Sequence, residues 1–188
     1  MPYLQNASDF LLQALIGFAL YTVLLRFWMQ WVRADFRNQF GQFIISVTNP
    51  IIIPLRKILP SIGTIDTATV FLAYIICIIK IVAFLGLRNA TDQAAPLDYL
   101  IWGVGVLIKY SIYLFIGAIF IQVIASWVNP HSYHPILTVA KSISNPILAP
   151  AQRLIPPIGG LDFSAILVLL FLQFSLRLIV APILPLPV

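Results

Sequence analysis

Long apolar runs alternate with shorter polar connectors along the chain, and this pattern predicts four transmembrane helices. The apolar runs cover about residues 10–31, 67–87, 99–127 and 163–184. At a rise of about 1.5 Å per residue, each run is long enough to cross a hydrocarbon core of roughly 30 Å. We therefore expect an all-α membrane protein with four spans.

The connector between the first two spans has the pattern of a helix that lies in the headgroup plane. Residues 36–47 carry apolar side chains on one helical face and polar side chains on the other. The segment that follows is rich in proline and is also expected to be interfacial or shallowly re-entrant. Each pair of spans is thus predicted to flank amphipathic and proline-bent helices.

The proline-rich segment has a local interpretation of its own. Asn49 is expected to cap a short helix whose first residue is Pro50, because proline lacks the N–H that would be unpaired at that position. Pro54 is expected to bend this helix. Gly63 allows a turn, and Asp66 is expected to cap the second span, with its charge at the positive end of the helix dipole.

This segment occurs twice, at residues 49–66 and again at residues 145–162, so that equivalent residue numbers differ by 96. The duplication predicts two tandem repeats, residues 1–92 and 93–188. Because each repeat holds two spans, the repeats must be parallel in the membrane rather than inverted. The candidate contact residues of the motif are Asn49, Pro50, Pro54, Arg56, Lys57, Pro60, Gly63 and Asp66, and then Asn145, Pro146, Pro150, Arg153, Pro156, Gly159 and Asp162.

Composition supports the membrane class and argues against nucleic-acid binding. Hydrophobic residues make up 61% of the chain and charged residues 9%, with a mean hydropathy of +0.99. A soluble domain is closer to half apolar and a quarter charged. Eleven Lys and Arg residues stand against six acidic residues, and with so few charges overall we interpret the excess as lipid contact and membrane orientation.

The positions of the basic residues predict the orientation. The two motif connectors hold Arg33, Arg37, Arg56, Lys57, Lys141 and Arg153, whereas the opposite side holds Arg88 in a loop. The positive-inside rule then places both motif connectors in the cytoplasm and both termini outside. The expected partners are anionic lipid headgroups and a membrane-protein partner or further copies of the chain.

The duplicated motif resembles the YggT family, called YlmG in other lineages. The first copy, from Thr48-Asn49-Pro50 to Asp66, matches the family pattern closely, whereas Ala151-Gln152-Arg153 departs from it in the second copy. The resemblance implies a small protein of the bacterial inner membrane, or of plastids, without a settled enzymatic activity. It also implies links to cell division and envelope organisation, to osmotic-stress tolerance, and in plastids to maturation of a b-type haem protein.

Basic residues inside the spans are the next candidates, namely Lys80, Lys109 and Arg177. A charge in hydrocarbon is a functional-site candidate by default. Their expected depth favours a simpler interpretation, in which the long side chains extend to the headgroups or pair with Asp9 or Asp98. A transport or ligand-binding role is the alternative.

The sequence carries no set of residues that predicts catalysis, a metal or a cofactor. His131 and His134 lie three residues apart, but no nearby cysteine or glutamate completes a metal site. Cys77 is the single cysteine and is expected to be a packing residue. We expect no enzyme, because no Ser-His-Asp set, glycine-rich phosphate loop or facing pair of carboxylates is present.

Two functions remain in competition. The first is a non-enzymatic organising or assembly factor whose cytoplasmic amphipathic helices contact headgroups or a protein partner. The second is a small transporter or channel-like protein in osmotic-stress or ion homeostasis, with a pathway between the parallel repeats. Flux through purified protein in liposomes distinguishes the two.

Overall fold

The computed structural model describes residues 2–88, 94–128, 133–155 and 162–184, and this part of the chain is helical without a β-strand. In chain order the elements are α1 (Pro2–Trp31), α2 (Gln39–Ile58), α3 (Thr67–Leu87), α4 (Pro96–Val128), α5 (Pro135–Leu154), α6 (Phe163–Ser175), a π-helical segment (Leu176–Val180) and α7 (Ala181–Ile183). The predicted all-α class is confirmed.

Four helices among the described residues are long and apolar enough to cross a membrane. They are Ala7–Trp31, Thr67–Leu87, Pro96–Ser126 and Phe163–Ile183. The last of them joins α6, the π-helical segment and α7 without a break. The four predicted spans are therefore confirmed, and the chain is a multi-pass membrane protein.

The two repeats share local structure as well as sequence. Helix α5 has the bounds of α2 shifted by 96 residues, and Phe163–Ile183 has the bounds of α3 shifted by the same number. Asn38 and His134 occupy the equivalent N-cap positions of α2 and α5. The Asn38 side chain accepts a hydrogen bond from the Gly41 amide, and the His134 side chain accepts one from Ile136.

The predicted break before Pro50 is wrong. Helix α2 runs without interruption from Gln39 through Asn49, Pro50 and Pro54 to Ile58, so Asn49 is not an N-cap. A proline inside a helix costs about 3 kcal/mol because it removes one backbone hydrogen bond and crowds the preceding turn. Both prolines lie on the exposed side of α2, where water or headgroups can bind the unpaired carbonyls, and the buried side of α2 continues past Pro50 to Ile52.

The predicted turn at Gly63 is confirmed. Gly63 has a φ of +59°, a left-handed conformation that glycine adopts without steric cost. Ile62 and Ile65 on either side exchange two backbone hydrogen bonds of 3.0 Å. This turn links α2 to α3, and the equivalent Gly159 lies outside the described residues.

The four spans do not form a closed bundle, because α1, α3 and α4 contact one another while the fourth span, in the described residues, contacts α4 alone among the other spans. Helix α3 packs between α1 and α4, while the fourth span packs on α4, with α6 also against α5. Helix α5 contacts α1 and α2 of the first repeat, but within the described residues α6 makes no comparable contact with α1 or α3. Cys77, Leu20, Ile81, Val106 and Ile119 are fully buried in the core between these helices.

Candidate functional site at the motif helices

A buried arginine ties α2 to the first span. Arg26 of α1 is 5% exposed, and its Nη1 donates to Thr48 Oγ1 at 2.5 Å and to Asn49 Oδ1 at 2.8 Å. Repeat 2 makes the equivalent connection without a charge, because Ser144 Oγ of α5 donates to Gln122 Oε1 of α4 at 2.5 Å. The motif helix of each repeat is thus bonded to the span that precedes it.

A second arginine ties α2 to the third helix. Arg56 Nη2 lies 2.5 Å from Asp66 Oδ2, and Arg56 Nε donates to Asp66 Oδ1 at 3.3 Å. The Thr69 hydroxyl also donates to Asp66, and Arg56 reaches Gln30 of α1 at 3.4 Å. Within the part of the chain that the structure describes, this is the one salt bridge, and the Asp66 side chain is fully buried while that of Arg56 is 40% exposed.

Repeat 2 builds the same connection with an amide. Gln152 Nε2 donates to Asp162 Oδ2 at 2.7 Å, in the place of the Arg56–Asp66 pair. The Ser164 amide donates to Asp162 Oδ1 at 3.0 Å, and the Ser164 hydroxyl donates to the same oxygen. Asp162 therefore caps α6 while it also receives a hydrogen bond from the motif helix.

The predicted cap at Asp66 is wrong in its chemistry. Asp66 occupies the N-cap position of α3, but its side chain makes no capping hydrogen bond. Burial raises the pKa of the Asp66 carboxyl, yet the hydrogen bonds from Arg56 and Thr69 and the charge of Arg56 outweigh that effect and hold the pKa below its ordinary value. The carboxylate is bound by Arg56 of α2 and by the hydroxyl of Thr69 in the first turn of α3.

The two clusters differ in charge. We call Arg26, Thr48, Asn49, Arg56, Asp66 and Thr69 the repeat-1 cluster, and Gln122, Ser144, Gln152, Asp162 and Ser164 the repeat-2 cluster. The first holds two guanidinium groups and one carboxylate, and the second holds two amides and one carboxylate. The repeat-1 cluster therefore carries a net charge of +1 and the repeat-2 cluster a net charge of −1.

The structure separates the motif residues into bonded and exposed groups. Arg56 and Lys57 do not form a free basic pair, because Arg56 is bound to Asp66 while Lys57 is exposed. The exposed motif residues are Pro50, Pro54, Lys57, Pro60, Gly63, Asn145, Pro146, Pro150 and Arg153. Asn49 is half-buried against Arg26, and Pro156 lies outside the described residues, as do Gly159 and His131.

Sequence reasoning missed most of the partners in these clusters. Arg26 lies near the end of its span, and its bonds to Thr48 and Asn49 bridge 22 and 23 residues of sequence. The repeat offset carries the missing signal, because polar residues recur 96 positions apart at Arg26 and Gln122, and at Thr48 and its counterpart in α5. A polar residue that recurs inside a span at the same place in both repeats indicates a bond that both repeats make.

Lys80 does not extend to the headgroups, so that expectation is wrong for this residue. Its side chain is 2% exposed, because the face of α3 that carries it packs between α1 and α4. Lys80 Nζ lies 5.5 Å from the centre of the Tyr110 ring, and it is the one buried side-chain nitrogen or oxygen without a hydrogen-bond partner in the described residues. Beside it, a cavity of about 10 Å³, lined in part by Asp9 and Gln13, has room for roughly one water molecule.

The other two intramembrane cations lie in different surroundings. Lys109 of α4 is half-buried, whereas Arg177 in the π-helical segment is exposed on the outside of the fourth span. The position of Arg177 leaves its long side chain free to extend along the apolar surface to the headgroups. The structure therefore does not bring the three cations together in one site.

Two larger cavities lie between the repeats, and both are lined almost entirely by apolar side chains. One of about 360 Å³ lies between α1, α2, α4 and α5, beside Tyr21 and Tyr113. The other, of about 400 Å³, lies beside Trp28 and Phe115. Among the described residues, no three His, Cys, Asp or Glu side chains are close enough together to hold a metal ion.

Comparison with known proteins supports the repeat architecture. The CCB3/YggT family model matches the chain twice, at residues 5–87 and 101–183. Each match falls inside one of the two predicted repeats, while the boundary between residues 92 and 93 stays a prediction. No solved structure matches the chain.

Bacterial relatives match over nearly the whole chain. A Vibrio alginolyticus protein described as an uncharacterized protein in the proC 3′ region is 40% identical over 170 residues, which cover 90% of this chain and 91% of that protein. The uncharacterized protein YggT of Escherichia coli K12 is 37% identical over 169 residues, covering 89% and 86%. The uncharacterized protein PA0392 of Pseudomonas aeruginosa is 38% identical over 177 residues, covering 94% and 90%.

Proposed function

The chain belongs to the CCB3/YggT family, and we propose that it is a non-enzymatic organising or assembly factor of the bacterial inner membrane. Its motif helices contact anionic headgroups and a membrane-protein partner from the cytoplasmic side. The processes that such a factor serves are cell division and envelope organisation, or the maturation of another membrane protein.

The observation that carries this proposal is that each motif helix is hydrogen-bonded to its neighbouring helices while its C-terminal end stays exposed. Arg26 bonds α2 to α1, and Arg56 bonds α2 to the start of α3. Helix α2 is therefore bonded to both of its neighbouring spans. We call residues 57–65 the repeat-1 tip. Ile58 and Ile62 in this tip are 77% and 72% exposed, next to the exposed Lys57. A basic and apolar surface of this kind suits headgroup and partner contact.

Charge supports repeat 1 as the main contact. The repeat-1 cluster and Lys57 together carry three cations and one carboxylate, a net charge of +2. The repeat-2 cluster and Arg153 together carry one cation and one carboxylate, a net charge of zero. Each basic residue near an anionic leaflet contributes about 1 kcal/mol of attraction, so repeat 1 is the better ligand for such a surface.

Site-specific photo-crosslinking in native membranes tests the proposal. A photoreactive amino acid replaces Ile58 at the tip or, as a control, Ile79, which is 52% exposed in the middle of α3. We expect discrete protein adducts from position 58 and only lipid adducts from position 79. Equal protein adducts from both positions, or none from position 58, would contradict a docking role for the tip.

The orientation has a separate test. Single cysteines replace Arg37 and Lys141 in a Cys77→Ala background, and a third replaces Thr91 in the connector between α3 and α4. In intact cells, positions 37 and 141 are expected to react only with membrane-permeant thiol reagents, and position 91 also with impermeant ones. Labelling of position 37 or 141 from outside would reverse the orientation and remove the attraction to the cytoplasmic leaflet.

A second candidate function is a small transporter or channel-like protein. The buried amine of Lys80 favours it, since α3 meets α4 there and the two helices belong to different repeats. Purified protein in liposomes provides the test. Solute-selective flux that is lost in Lys80→Met, with the same protein content in the vesicles, would support transport over the organising role.

A further inference from the structure

The contact between the two repeats is head-to-tail rather than two-fold symmetric. Between the repeats, α3 packs on α4, α1 contacts both α4 and α5, and α2 contacts α5. In a two-fold arrangement, α6 would contact α1 and α4 would contact α2 in the same way, but neither contact is made by the described residues. A head-to-tail interface uses two different surfaces and leaves one of each unpaired at the two ends.

A glycine in this interface shows how closely the helices approach. A methyl group added to Gly103 of α4 would lie 3.0 Å from Tyr74 and 3.3 Å from Ile78, both on α3. The Tyr74 hydroxyl also donates to the Leu100 carbonyl at 2.9 Å. Small residues at such positions are typical of tightly packed membrane helices.

The equivalent positions at the ends of the chain are exposed. Leu170 and Phe174 of α6 are the counterparts of Tyr74 and Ile78, and they are 66% and 59% exposed. The counterpart of Gly103 is Ala7 of α1, which is also exposed. At the equivalent contact, Leu170 would replace Tyr74 and Ala7 would replace Gly103. A leucine side chain ends at Cδ and is shorter than a tyrosine, so it leaves space for the alanine methyl group.

The rest of the two end surfaces follows the same correspondence. Val106 and Leu114 of α4 are 0% and 7% exposed inside the chain, whereas their counterparts on α1, Phe10 and Phe18, are 72% and 61% exposed. Residues of α5 that face α1 are likewise buried, while the counterparts on α2 are exposed. These pairs are Val139 with Phe43 and Ile143 with Val47.

We propose that the chain binds a second copy of itself head-to-tail, with α6 of one copy on α1 of the next, as α3 packs on α4 within the chain. Helix α4 of the first copy then meets α2 of the second, where Ile121 is 43% and Phe43 is 48% exposed. Because equivalent spans run in the same direction, the operation that relates the repeats turns about the membrane normal and keeps every copy upright. This contact does not depend on the organising role.

Cysteine cross-linking between differently tagged copies tests the contact. In a Cys77→Ala background, one copy carries Ala7→Cys and the other carries Leu170→Cys, and both are co-expressed and oxidised in membranes. We expect a disulfide-linked pair that contains both tags, since a disulfide requires Cα atoms within about 7 Å. Each variant expressed alone should give no linked pair, because the proposed contact pairs position 170 with position 7 and neither position with itself.

A matched control uses the same helices. Phe18→Cys replaces Ala7→Cys and lies eleven residues further along α1, about 16 Å away at helical rise, although it is also exposed. Linked pairs at position 7 but not at position 18 would support the contact. Equal linking at both positions, no linking at position 7, self-linking of either single variant, or linkage only to a different protein would each overturn it.

Discussion

The two repeats have the same helical skeleton but different charge. Helices α2 and α5 have equivalent bounds, equivalent caps and equivalent bonds to their neighbouring spans. At three equivalent helix positions, however, repeat 1 has a cation and repeat 2 a neutral residue. The pairs are Arg26 with Gln122, Arg56 with Gln152, and Lys80 with Leu176.

This difference separates what the skeleton needs from what it does not. Repeat 2 shows that a glutamine can bond a motif helix to the preceding span and to the aspartate that follows. The skeleton therefore needs hydrogen bonds at these places, but it does not need arginine. Burying a charge costs more than burying an amide, so we infer that Arg26 and Arg56 add positive charge that repeat 1 offers to an anionic partner.

The largest effect is expected from Arg56→Ala. This change leaves the fully buried Asp66 carboxylate with Thr69 as its remaining side-chain donor, and we expect a loss of about 3 kcal/mol in the free energy of unfolding. Arg56→Gln recreates the repeat-2 pairing and should lose only about 1 kcal/mol. Unfolding in mixed micelles measures both variants. Equal losses in the free energy of unfolding would show that a Gln–Asp pair cannot replace the Arg56–Asp66 pair in repeat 1.

The pH dependence of stability sharpens the same comparison. In the native chain the pKa of Asp66 is lowered, so its ionised form stabilises the fold above the ordinary carboxyl pKa, and that stability is lost as the pH falls through the lower folded value. In Arg56→Ala, burial remains while the main opposing cause is gone, so the pKa should rise above its ordinary value. The variant should then become more stable as the pH falls through that raised pKa. A parallel decline in both proteins on acidification would contradict this account.

A smaller effect is expected from Arg26→Gln. This change copies Gln122 and removes a buried charge together with its two bonds to Thr48 and Asn49. Since the lost bonds and the relieved desolvation oppose each other, the free energy of unfolding should change by about 1 kcal/mol or less. Arg26→Ala, which leaves no replacement donor, is the control and should lose about 2 kcal/mol. If glutamine is as damaging as alanine, the skeleton of repeat 1 does require the charge.

The spans, the duplication and the turn at Gly63 could be predicted because each depends on local pattern. The continuity of α2 could not, because the cost of Pro50 and Pro54 is offset by burial of the opposite face against α1 and α3. Asp66 illustrates the same limit, since its carboxylate binds Arg56, ten residues away in the chain, and does not make the expected capping bond. Tertiary contacts decided these outcomes.

Lys80 shows why depth alone does not place a charged side chain. Its distance along α3 suggested the outer part of the bilayer, but the rotation of α3 turns the residue towards α1 and α4. Its counterpart Leu176 is also buried, so both repeats place this position in the interior.

The smallest effect on stability is expected from Lys57→Gln. Lys57 is exposed, so the free energy of unfolding should not change measurably. Attraction to an anionic leaflet should fall by about 1 kcal/mol, which lowers the enrichment of anionic lipid around the purified protein about fivefold. Native mass spectrometry of retained lipid measures this, and Arg153→Gln is the matched change in repeat 2. A larger loss of lipid from Arg153→Gln would place the main lipid contact in repeat 2.

A paired photo-crosslinking measurement at the ends of α2 and α5 tests the central claim most directly. Ile58 and Leu154 are equivalent positions and are 77% and 82% exposed, so they differ in their surroundings rather than in accessibility. With the same photoreactive amino acid at either position in native membranes, we predict a higher yield of discrete protein adduct from position 58, and a fall in that yield in the Arg26→Gln/Arg56→Gln/Lys57→Gln chain. An equal or higher yield from position 154, unchanged by those substitutions, would contradict the account.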